Sequence, residues 1–75
     1  MNKIQVILDT QTDVLDFVNI ANTIQEDVFL EDSSLFRANA KSILGVMYSM
    51  SEFKELYVWS EYDNLSSKFR KFMRD

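Results

Sequence analysis

The feature that most constrains this chain is its punctuation: short runs of β-branched and aromatic residues alternate with longer segments whose apolar residues recur every three to four positions. Residues 3–8 read as a strand, with Ile4, Val6 and Leu8 on one face. Residues 9–13 (DTQTD) read as a loop running into a helix N-cap. Val14, Phe17, Val18, Ala21 and Ile24 then follow at helical spacing, with Asp13 and Asp16 in the first turn, where the dipole favours anions. Residues 27–30 and 35–38 flank the turn formers Asp32, Ser33 and Ser34, which predicts a β-hairpin. Ser42 stands as N-cap to a short helix with Ile43, Val46, Met47 and Met50 on one stripe. Residues 56–59 (LYVW) carry the strongest strand signal. Asp63 or Asn64 caps a last helix with Leu65, Phe69, Phe72 and Met73 at i, i+4, i+7 and i+8. The order β-α-β-β-α-β-α predicts an α+β sandwich, with helices on one face of a mostly antiparallel sheet.

With 75 residues, 47% of them hydrophobic, the chain can build one core, so residues 1–75 are expected to form a single domain. Histidine and cysteine are both absent. That removes disulfides, thiolate chemistry and the commonest zinc and general-base ligands, and an unstapled cytosolic protein with no catalytic residues, cofactor or small-molecule substrate is expected. The opening residues are too short an apolar stretch for an export signal or a membrane span. A net charge of −4 argues against nucleic acid as a partner. Lys68, Arg70, Lys71 and Arg74 crowd the last helical segment, where cations complement the macrodipole.

At residues 40–47 the chain reads AKSILGVM, and Phe17, Val18 and Ala21 form an FVxxA-like stretch in the first helix. These segments, in this order of elements, resemble HPr, the histidine-containing phosphocarrier of the bacterial sugar phosphotransferase system. The resemblance implies a four-stranded antiparallel sheet with three helices on one face. It does not carry the family's activity across. The family accepts phosphate on a histidine at the start of the first helix, beside an arginine; here that stretch is Asp9, Thr10, Gln11, Thr12 and Asp13. Thr10, Thr12 and Asp13 are therefore degenerate active-site positions. Phosphate on either threonine would meet Asp9, Asp13 and Asp16 with no basic counterweight, so an N-cap role is the expectation for them.

Ser42 is the candidate for regulatory phosphorylation that the resemblance implies, and as an N-cap alone it would contribute about 1 kcal/mol. Gly45, the one glycine, lies inside a predicted helix, so something must approach closely there, either a docking partner or the sheet. In the family this short helix is part of the docking surface, which makes Ile43, Met47, Tyr48 and Met50 interaction candidates, although Met47 is expected in the core. The strands supply a second surface. Val6-Ile7-Leu8, Val28-Phe29-Leu30 and residues 56–59 are apolar in both parities, so the outer sheet face should be apolar and covered, with Ile7, Phe29 and either Val58 or Trp59 on it. An ungapped match to the family turns Tyr57 and Trp59 inward; a slip of one residue reverses this. A protein partner or a second copy is the expected cover.

Overall fold

A computed structural model describes residues 2–34 and 36–73. It consists of β1 (Lys3–Val6), α1 (Gln11–Ala21), β2 (Val28–Glu31), β3 (Arg37–Asn39), α2 (Ile43–Glu52), β4 (Leu56–Ser60) and the single turn α3 (Leu65–Lys68), which runs into a 3₁₀ turn (Arg70–Phe72). The strands form one antiparallel sheet in the order β1-β4-β2-β3. This is the α+β open-faced sandwich that the alternation of periods predicts.

Register decides which side chains enter the core. Ile4 lies opposite Val58, Val58 opposite Leu30 and Leu30 opposite Ala38, which makes one inward row across all four strands. Val6 and Leu56 continue that face. Against it pack Val14, Phe17, Val18 and Ala21 of α1, Val46 of α2, and Leu65, Phe69 and Phe72. The Phe17 ring lies 4.9 Å from Phe69 and 5.5 Å from Phe72, so three aromatic rings fill the centre and the sheet contributes aliphatic residues beneath them.

This register corrects the placement of Val58. It is fully buried, and Tyr57 and Trp59 occupy the outer face. The cause is β1, whose Lys3 and Gln5 lie opposite Trp59 and Tyr57; pairing that puts Ile4 and Val6 in the core must put Val58 and Leu56 there as well.

The outer face is partly covered by the chain itself, and Phe29, Tyr57 and Trp59 on it are half-buried. Arg37 sets its guanidinium 4.7 Å from the Phe29 ring centre and 4.8 Å from that of Trp59, while Lys3 stands 5.0 Å from the Tyr57 ring. Between them the nearly buried Glu31 carboxylate pairs with Arg37 and, at 3.3 Å, with Lys3. The apolar run at 28–30 thus has a polar lid supplied by β1 and β3, and Phe29 is half-buried beneath it.

Several ends differ from the sequence reading. β1 stops at Val6 because the Ile7 N–H donates to the Phe72 carbonyl (2.8 Å), which leaves Ile7 half-buried beside the C-terminal segment rather than on a strand face. Ile24 lies past the end of α1, yet reaches the core through a turn in which its N–H donates to Ala21. The last helix breaks at Phe69 (φ −108°), so Met73 is exposed rather than aligned with Phe72. Lys71 bonds Asp16 at 2.8 Å and Lys68 bonds the Thr23 hydroxyl at 3.1 Å, tying this segment to α1. Leu35 and Arg74 lie outside the described residues.

Candidate functional site

Two helix starts hold Thr10, Thr12, Asp13 and Ser42. Thr10 caps α1 in a reciprocal box: its hydroxyl accepts from the Asp13 N–H (3.1 Å), and the Asp13 carboxylate accepts from the N–H groups of Thr10 (3.1 Å) and Asp9 (2.9 Å). These bonds, that from Asp9 first, hold the Asp13 carboxyl below its ordinary value of 3.8. Thr12 is exposed in the first turn. Residues 9–13 thus form a self-satisfied cap centred on an anion.

Ser42 caps α2, with its oxygen accepting from the Gly45 N–H at 3.2 Å. Lys41 beside it is anchored, donating from its ammonium to the Ile24 carbonyl at 2.6 Å. Gly45 itself faces the sheet. A Cβ there would lie 2.5 Å from the Asn39 oxygen, so the close approach is helix on β3 and not room for a partner. Ser49, one turn on, is fully buried and returns its hydroxyl to the Gly45 carbonyl (2.9 Å).

That contact fixes the rotation of α2. Val46 and Ser49 point into the core and Met50 is half-buried, whereas Met47, expected inside, is turned out with 47% of its surface exposed. Ile43, Leu44 and Tyr48 are exposed with it, Leu44 at 79% and Tyr48 at 57%. A depression beside Met47 and Met50 is lined on its far side by Thr10 and Val14, and a cleft on the other flank lies between Tyr48 and Phe36. The structure therefore brings Thr10, Met47 and Met50 together beside the middle and C-terminal half of α2, and puts Ser42 at the N-terminus of that helix.

Leu15, Phe36 and Leu44 are exposed apolar residues that the sequence does not single out, and Phe36 and Leu44 flank this face. A signal for Leu44 existed: a core stripe through Val46 and Met50 leaves 44 and 48 on the opposite side of the helix. Among the described residues, no cluster of three or more His, Cys, Asp or Glu side chains is placed to hold a metal ion. No helix of the described residues is long and apolar enough to cross a membrane. Comparison of the chain with protein families, characterised proteins and solved structures found no match in any of the three.

Proposed function

We propose that this chain is an HPr-like domain that carries no phosphohistidine and works by docking a protein partner on the exposed face of α2. The observation that carries the reading is the exposure of Ile43, Leu44, Met47 and Tyr48 together on one ten-residue helix. Four large apolar side chains in one place form a contiguous patch of the kind that marks an interaction surface. The AKSILGVM string and the β-α-β-β-α-β-α order support the family reading, and the absence of histidine from the sequence removes the phosphocarrier chemistry. An acidic chain without cysteine suits the cytoplasm.

A second reading adds regulation. Ser42 adjoins Ile43 and Leu44 at the N-terminus of the same helix, so phosphate on its hydroxyl would recast that end of the docking face. The sheet, the other candidate surface, is the weaker one because Arg37 and Lys3 already lie over its aromatic rings.

The test is photo-crosslinking in the source cell with benzoylphenylalanine at Leu44 or, separately, at Gln5 on the outer sheet. A discrete adduct from position 44 and none from position 5 supports the α2 reading. Adducts from position 5 alone would move the interface to the sheet.

A further inference from the structure

The kind of partner is written in the charges around the α2 face. Leu44, Tyr48 and Glu52 are spaced i, i+4, i+8 and form one row, so the apolar strip ends in an exposed carboxylate. Glu52 sits in the last turn of α2, where the carbonyl ends of the helix make the field negative and a cation would be the favoured neighbour. No basic residue occupies that turn. Asp9 borders the depression beside Met47, and the Asp13 carboxyl, held below its ordinary value by its cap bonds, stays charged one turn into α1. Lys54 is the one cation lining the cleft between Phe36 and Tyr48, where Glu52 and Asp32 also lie. The Asp32 carboxylate is occupied in the hairpin turn, accepting from the Ser34 and Phe36 N–H groups.

Resting on the α2 docking reading, we propose that the occupant of this face is a basic amphipathic helix of a protein partner. Its apolar stripe covers Leu44, Met47 and Tyr48, and its Lys or Arg side chains meet Glu52 and the carbonyl end of α2. A helix laid along α2 offers anchors at i, i+3, i+4 and i+7, which suits a three-turn strip flanked by a depression on each side. Opposite charge at the rim sets orientation and speeds encounter, and the whole chain, at −4, contributes in the same sense.

A second copy of this chain fits less well, because five of its cations are engaged elsewhere and a sixth, Lys54, already lies in the cleft beside Glu52. Lys3 and Arg37 pair with Glu31 on the far side of the sheet, Lys71 with Asp16, Lys68 with Thr23, and Lys41 with the Ile24 carbonyl. An anionic lipid surface would be repelled by the same acids that favour a cationic helix.

The probe is a dye-labelled helical peptide of Leu and Lys with one leucine stripe, set against a peptide of the same stripe with Glu in place of Lys. Fluorescence anisotropy is read at low salt and at about 0.5 M, where exposed charges are screened beyond roughly 4 Å. The Leu/Lys peptide is expected to bind saturably at one per chain and the Leu/Glu peptide at least tenfold more weakly, roughly the worth of a few rim charges. Leu44→Ser should weaken the Leu/Lys complex about tenfold or more. Glu52→Lys should weaken it several-fold and flatten its salt dependence, while Leu15→Ser, on exposed α1 surface, should leave it within about twofold. Circular dichroism checks that each variant is folded.

Three results would overturn the proposal: equal binding by Leu44→Ser, equal binding of the Leu/Glu peptide, or sedimentation of the protein alone as a dimer that Leu44→Ser dissociates. A natural partner crosslinked at position 44 through a segment without Lys or Arg would overturn this inference and leave the α2 docking surface standing.

Discussion

The Cα hydrogen of Gly45 points at the Asn39 carbonyl so closely that a methyl group in its place would stand 2.5 Å from that oxygen. Helix propensity alone says that alanine at this position should stabilise the domain by about 1 kcal/mol. The contact is with backbone, which cannot rotate away. Gly45→Ala is therefore expected to destabilise by about 1–3 kcal/mol, as overpacking does, with α2 displaced from β3. Urea unfolding gives the sign, and a variant more stable than the wild type would mean that the helix can retreat freely.

The two parities of β4 predict opposite outcomes for one substitution. Val58→Lys places a charge in the middle of the inward row and should cost more than about 4 kcal/mol, comparable to the whole stability of so small a domain. Trp59→Lys, on the half-exposed outer face, should leave the domain folded with a loss of about 1–2 kcal/mol. Circular dichroism and thermal unfolding separate them, and the reverse order would mean that the register is slipped by one residue.

Arg37 should be worth more than a surface ion pair because its guanidinium covers Phe29 and Trp59 while it neutralises the nearly buried Glu31. Arg37→Ala is expected to cost about 1–3 kcal/mol and to shift Trp59 emission to the red as water reaches the indole. Lysine should restore less than half of the loss, since it lacks the planar group that stacks. Trp59 is the one tryptophan, so fluorescence reports this site without interference.

The capping box predicts an acid limb in stability. The Asp13 pKa is lowered in the folded chain, so its contribution is fully present above the ordinary value of 3.8 and is lost as pH falls through the folded value. At neutral pH, Asp13→Asn should unfold at lower urea than the wild type. The gap should close as pH drops below 3.8. Thr10→Ala, which removes the hydroxyl cap, should cost about 1 kcal/mol at neutral pH. A gap between wild type and Asp13→Asn that persists unchanged in acid would contradict the box.

Much of this architecture is legible in the sequence because local chemistry dictates it. Asp32, Ser33 and Ser34 make the hairpin turn, Thr10 and Ser42 are good caps, and Phe17, Val18 and Ala21 repeat at helical period. What the sequence hides depends on partners distant in the chain. Residues 56–59 are apolar at every position, so only pairing with Ile4 and Leu30 selects Val58 for the core. The rotation of α2, and with it the exposure of Met47, is fixed by the contact between Gly45 and Asn39. Phe29 and Trp59 read as a bare apolar face because their cover, Arg37, comes from a short edge strand whose other residues signal little.

The central claim, that the protein works by docking a partner on α2, is tested most directly by calorimetric titration of the partner recovered by crosslinking against three forms of this chain. Relative to wild type, Leu44→Ser should weaken binding by about tenfold or more, the signature of an anchor residue, with the fold unchanged. Gln5→Lys on the outer sheet should change affinity by less than about twofold, as substitutions outside an interface do. Loss of binding in Gln5→Lys with full affinity in Leu44→Ser would contradict the account and place the interface on the sheet.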